Sequence, residues 1–302
     1  MLLLAVSFIW GSQFTFNKMA LYVFTSNEIA ILRSLIGMLT LSVLWRLIPK
    51  QFGKENFKIE KSFRFHIQIF VIALFEATIP FLLVPWGQQY IDSSIAAVLM
   101  GTIPIFVAMI AIFFAQESIK LNTIFSIFIG FCGIMILLLP GLRHADLFSH
   151  IIGELAILGG AFSFAISLFL IKKLPNVSPI LSARNILFWA SIQMLPFVFF
   201  QHSHLHNLSN ALSWFSIIVL GVFCAGIVYV LYIILINNAG TTIASFSNYL
   251  VPFVGFILGI AVFKEQIKLN FIIALILIFI ALLSNEIKLQ IRKNDKKIEQ
   301  AH

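Results

Sequence analysis

The chain is a succession of long apolar runs separated by short polar breaks. Ten runs can be marked, at about residues 2–24, 29–48, 65–87, 94–115, 123–140, 151–171, 180–200, 212–236, 241–263 and 270–287. A membrane-crossing helix needs roughly 20 mainly apolar residues, and each run is near that length. The pattern predicts an all-α integral membrane protein of ten transmembrane helices, with too few residues between them for a sizeable soluble domain. The first run lacks the basic flank and small-residue cleavage site of a secretory signal and continues through Trp10, so it reads as a retained helix.

Composition agrees. With 60% hydrophobic residues, 11% charged and 33 Phe among 302 residues, the chain has too little polar surface for a water-soluble globule. Charge then orients it. If the N-terminus is cytoplasmic, the inner side receives fourteen cations: Arg46, Lys50, Lys54, Lys58, Lys61, Arg64, Lys120, Lys172, Lys173, Lys288, Arg292, Lys293, Lys296 and Lys297. The outer side keeps three, Arg143, Lys264 and Lys268. This bias predicts that both termini are cytoplasmic, and it accounts for the net charge of +8 without nucleic acid. Cys132 and Cys224 both fall inside predicted spans, which argues against a disulfide framework or a cysteine metal site. The charged tail at 288–302 reads as a solvated helix end.

The runs nearly repeat. Residues 88–122 and 236–270 align without a gap at an offset of 148: Ile95, Ala96, Pro104, Ile112, Glu117, Ile119, Lys120, Leu121 and Asn122 recur as Ile243, Ala244, Pro252, Ile260, Glu265, Ile267, Lys268, Leu269 and Asn270. Between Glu117 and Glu265 the predicted chain crosses the membrane five times, so the two copies face opposite sides. The expectation is two inverted five-helix repeats, residues 1–140 and 151–287, with a site near the midplane that either side can uncover.

Polar residues inside the runs are the candidate chemistry. Glu76 lies midway along the third run, where a carboxylate costs about 2.5 kcal/mol or more. Such a group can exchange a proton, grip a substrate cation, or pair with Arg33, Arg184 or Lys18 as a purely structural tie. Trp10, Gln13 and Asn17 share one face of the first helix, with Ser7 and Lys18 beside it; that face suits either a polar ligand or a neighbouring helix. Thr241, Ser245, Asn248 and Pro252 form a similar stripe in the ninth run, and Tyr229 and Tyr232 offer aromatic walls or core packing in the eighth. Pro104 and Pro252 match between the copies, and Pro80 and Pro85 interrupt the third run; each removes a backbone donor and predicts a bend. Gly255 with Gly259, and Ser126 with Gly130, read as close helix contacts. Glu117 and Glu265 read as i, i+3 ion pairs with Lys120 and Lys268, and the His202, His204, His206 alternation as a solvated loop. No phosphate loop, H-E-x-x-H, nucleophile elbow or haem motif is present, so no cofactor is expected.

Several stretches also carry a resemblance: W-G-S-Q-F-T-F-N-K at Trp10 to Lys18, Leu32-Arg33, the run from Ile79 to Leu99 that includes Trp86, T-I-P at Thr102 to Pro104, and Ala239 to Phe253. Together they resemble the EamA-type branch of the drug/metabolite transporter superfamily over essentially the whole chain. The resemblance implies a ten-helix carrier of the bacterial inner membrane, often an exporter of amino acids or related compounds. The usual Gly-Glu endings of the fourth and ninth helices read Gln116-Glu117 and Lys264-Glu265 here, and Glu76 stands where the family more often has a neutral residue.

The resulting expectation is a secondary transporter, not an enzyme, moving a small polar metabolite by alternating access in contact with the lipid bilayer. Its state is a monomer or homodimer, and proton coupling remains open. Its pathway is assigned to Glu76, Trp10, Gln13, Asn17, Lys18, Arg33, Trp86, Tyr229, Tyr232, Ser245 and Asn248, with Pro80, Pro104 and Pro252 as hinges. The alternatives are an uptake or exchange carrier for a nucleotide-like or cationic metabolite, a channel, or an intramembrane enzyme.

Overall fold

A computed structural model describes residues 1–47, 63–114, 121–138, 147–171, 173–174, 178–199, 210–232, 234–235, 247–266 and 269–281. Among them the chain is helical, without strands. The helices are α1 (Leu2–Ala20), α2 (Ser26–Leu47), α3 (Phe63–Gly87), α4 (Ser93–Met100 and Ile103–Phe114), α5 (Leu121–Leu138), α6 (Leu147–Ile171), α7 (Pro179–Phe199), α8 (Ala211–Tyr232), α9 (Ser247–Phe263) and α10 (Leu269–Ala281). Four stretches among the described residues are by themselves long and apolar enough to cross a membrane: Ser26–Leu47, Phe63–Gly87, Phe148–Ile171 and Ala211–Tyr232. Large apolar side chains such as Phe8, Leu39, Phe128, Phe188, Trp214 and Ile257 point outward, as lipid contact requires, because the backbone polar groups behind them are already bonded within helices.

Packing relates the two halves of the chain. The main interfaces are α2 on α7, α1 on α9, α4 on α6, α3 on α6, α1 on α8, α2 on α8, α3 on α7, and α4 on α9. Exchanging each helix of the first five for its counterpart five places later turns α1–α9 into α6–α4, α1–α8 into α6–α3, and α2–α8 into α7–α3. The pairs α2–α7 and α4–α9 map onto themselves, whereas the smaller α2–α3 interface has no α7–α8 counterpart of comparable size among the described residues.

Local chemistry explains the irregular points. The expected uninterrupted fourth helix is broken at Gly101–Thr102, after which Pro104 sits in the first turn of the new helix, where its missing N–H costs nothing. Pro252 packs into that break: a Cβ on Gly101 would lie 2.5 Å from its Cγ. One turn further along α9, a Cβ on Gly255 would meet that of Ala97 at 2.3 Å, so the G-x-x-x-G stripe is a close contact between α4 and α9. Gly130 similarly seats Ile105, while the Ser126 side chain lies outside the described residues.

Glu265 has a role that its sequence neighbours do not show. Its carboxylate accepts from Ser93 N at 2.9 Å, Ser93 Oγ at 2.7 Å and Ser94 N at 3.0 Å, capping the start of α4. A fixed anion at the positive end of a helix is stronger than a solvated i, i+3 pair, and it ties α9 to α4. Lys268, Glu117 and Lys120 lie outside the described residues, as does the His202–His206 stretch.

Candidate functional site

α3 and α8 each widen for about one turn, at Leu74–Thr78 and Val222–Ile227. Their starts are 148 residues apart, the same offset that relates the sequence repeats. In α3, Ile79 N–H reaches five residues back to Leu74 O. Pro80, next in line, has no N–H to give Phe75 O, and Ser163 Oγ of α6 donates to that carbonyl at 2.7 Å instead. In α8, Val228 N–H reaches back to Phe223 O, and the carbonyl it bypasses, that of Cys224, receives an N–H from Arg33 at 3.4 Å. Each wide turn thus sets a backbone carbonyl before a side chain from another helix.

Glu76 sits in the α3 wide turn and is buried. It accepts a hydrogen bond from Tyr229 Oη at 3.0 Å and another from Ser167 Oγ. Among the described residues it makes no ion pair. The structural tie considered from sequence is therefore not formed: Arg184 bonds Asn185, Lys18 bonds carbonyls, and Arg33 bonds Gln13. A carboxylate with two hydroxyl donors and no cation in a bilayer is poised to take up a proton or a ligand cation, either of which offsets the cost of its charge.

Arg33 is the second polar node. It is 4% exposed, lies over the Phe81 ring at 4.1 Å, and donates to Gln13 Oε1 at 2.7 Å. Its Nε has no hydrogen-bond partner among the described residues. A buried guanidinium without a carboxylate retains capacity for an anionic group. Aromatic rings border both nodes. Trp10 meets Tyr229 edge-on at 6.5 Å and Tyr232 at 5.0 Å, and all three rings keep some accessible surface.

The structure therefore brings together Glu76, Tyr229, Trp10 and Tyr232, and places Gln13 on Arg33. Other predicted residues lie elsewhere. Asn17 is fully buried and donates to Gln88 Oε1 at 3.1 Å, while Gln88 Nε2 donates to Phe14 O. Lys18 donates to the carbonyls of Gln88 and Ile91, both at 2.8 Å, neutralising the negative end of α3. Trp86 meets Tyr90 edge-on near that same end. Ser245 and Thr241 lie outside the described residues, and Asn248 is placed in α9 by its backbone alone. Ser163 and Ser167 escaped the sequence reading because a serine in an apolar helix carries no hydropathy signal. Pro80, four residues after Glu76, was the available clue to the wide turn.

Comparison with known proteins gives the class. The model of the EamA-like transporter family matches residues 1–139 and 151–285. An uncharacterized transporter of Bacillus subtilis (strain 168), YoaV, is 23% identical over 294 residues, covering 96% of this chain and 97% of that protein. An uncharacterized transporter of Archaeoglobus fulgidus is 23% identical over 278 residues, covering 89% and 91%. One of Buchnera aphidicola subsp. Schizaphis graminum is 26% identical over 276 residues, covering 89% and 87%. A solved crystal structure shares the fold at 15% identity, with a TM-score of 0.64 over 97% of this chain and 96% of that one. The chain belongs to the EamA-like transporter family, and so to the drug/metabolite transporter superfamily of multi-pass membrane proteins. Glu76 falls in the first matched segment, and Ser167 and Tyr229 fall in the second.

Proposed function

We propose that this protein is a secondary carrier that moves a small polar metabolite, an amino acid or a related compound, out of the cell across the bacterial inner membrane by alternating access. In this reading ten spans form two inverted repeats, residues 1–140 and 151–287, followed by a charged cytoplasmic tail at 288–302. The observation that carries it is the pair of hydrogen bonds from Ser167 and Tyr229 to Glu76, which joins the two matched segments through one buried carboxylate. A group held from both halves senses any movement of one against the other. The exchange pattern of helix interfaces and the matched wide turns support the repeat.

The nodes suit a zwitterion. Glu76 offers a seat for an ammonium or a proton, Arg33 offers one for a carboxylate, and Trp10, Tyr229 and Tyr232 border them with aromatic faces. The test is counterflow in proteoliposomes preloaded with a panel of amino acids and related zwitterions. A carrier gives saturable, transient accumulation of external label against preloaded substrate. Flux that rises linearly without accumulation would mean a channel, and the absence of flux for every zwitterion would overturn the substrate class.

A further inference from the structure

A cavity with both polar and apolar lining lies away from the Glu76 cluster. It has a volume of about 350 Å³ and is lined by Met38 and Ser42 of α2, His66 of α3, and Arg184, Asn185, Phe188 and Trp189 of α7. Glu76 draws its partners from α6 and α8, and neither helix contributes to this lining.

Its polarity changes with depth. α2 ends and α3 begins at the same side of the bundle, because consecutive helices run antiparallel, and α7 starts on that side. At 1.5 Å per residue, His66, Ser42, Arg184 and Asn185 lie ~5–9 Å in from the ends of their helices, and Met38, Phe188 and Trp189 lie ~13–15 Å in. Polar and cationic groups thus occupy the level of a bilayer interface, and apolar groups the level of acyl chains. Phe188, at 44% exposed, and Phe70, at 41%, leave the flank open outward, where lipid is the solvent. Trp189 is packed edge-on by both at 5.6 and 5.4 Å, making a rigid aromatic floor.

Charge names the occupant. Arg184 is oriented by its neighbour, with Nε and an Nη donating to Asn185 Oδ1 at 3.3 and 3.0 Å. Among the described residues no carboxylate lies within ion-pair distance of it. Arg46 and Arg64 are exposed at the adjoining ends of α2 and α3 and add positive charge at the mouth. A lone guanidinium at interfacial depth, with hydroxyl, amide and imidazole groups beside it and an apolar floor beneath, matches a phosphodiester carrying acyl chains.

We propose that this groove between α2, α3 and α7 is a binding site for an anionic phospholipid of the leaflet on the α2–α3 side, with Arg184 holding the phosphate and Met38, Phe188 and Trp189 seating an acyl chain. The site rests on the membrane-spanning fold and is independent of what the carrier transports. Native mass spectrometry of protein released from mixed phosphatidylcholine–phosphatidylglycerol nanodiscs tests it. Wild type should retain phosphatidylglycerol in preference to phosphatidylcholine and gain thermal stability when that lipid is added back. Arg184→Gln should lose both effects, whereas Lys264→Gln, which removes an equal charge beyond α9, should keep them. Ser42→Phe, which fills the groove without touching charge, should also lose the preference, and this provides the answer if Arg184→Gln does not fold. Equal preference in wild type and both groove variants would overturn the site. Competition by soluble inorganic phosphate at the concentration of the lipid would overturn the lipid as occupant. Because the readout is lipid retention, a failed counterflow experiment would not alter the result.

Discussion

Tyr229 connects Trp10 to Glu76, and its hydroxyl can be removed with little else disturbed. Tyr229→Phe keeps the ring against Trp10 but takes one of two donors from Glu76. A hydrogen bond to a charged acceptor contributes ~1.5–3 kcal/mol, so transport that uses the ionised carboxylate should fall roughly tenfold or more, while the folded fraction stays near that of wild type. Transport rates equal to wild type would show that the bond has no part in the cycle. Glu76 was legible from sequence because a carboxylate in an apolar run is costly wherever it points. Its partners were not, since which helix faces it is a tertiary fact. The Trp10, Gln13, Asn17 face was legible only as a face: spacing of three and four drifts around a helix, so Trp10 and Gln13 turn to the central nodes while Asn17 turns to Gln88.

At the scale of elements, the contact of α4 with α9 is set by backbone approach. Gly255→Ala should destabilise the protein by about 1–3 kcal/mol, because the new Cβ meets the Cβ of Ala97 at 2.3 Å and one helix must retreat. Gly159→Ala should be nearly silent, since its nearest neighbour is the flexible end of Leu83 at 3.3 Å. Apparent Tm in detergent compares the two, and equal losses would mean that α4 and α9 tolerate separation. Apolar runs located these helices well because lipid enforces hydropathy. The break at Gly101–Thr102 and the wide turns were hidden, since a shift in hydrogen-bond register leaves average hydropathy unchanged. The capping role of Glu265 was hidden for a related reason: the sequence shows the cations Lys264 and Lys268 beside it, but the N–H groups that hold it belong to another helix.

For the molecule as a whole, two consequences follow from the proposed inversion of the halves. In the proposed topology the stretch at Ser62 is cytoplasmic and that at Ser203 periplasmic. Single cysteines there, in a background lacking Cys132 and Cys224, should react with a membrane-impermeant thiol reagent in intact cells at residue 203 only; labelling at residue 62 would reverse the topology. Pro104 and Pro252 occupy matched positions on helices that pack together, and Pro252 fills the break beside Pro104. Replacing either by Ala should bias the carrier to one facing state, in opposite directions for the two, as read by cysteine accessibility from each side; a shift in the same direction would contradict inversion. The central proposal, that Glu76 takes up and releases a proton as the two halves move, is tested most directly by uptake into proteoliposomes with and without a pH gradient, comparing wild type with Glu76→Gln at matched protein levels. Gln keeps the size, accepts from one of the two hydroxyls through Oε1 and donates to the other through its NH2 group, but cannot titrate, so accumulation driven by the pH gradient should disappear while substrate-for-substrate exchange persists. Unchanged pH-driven accumulation in Glu76→Gln would contradict the account.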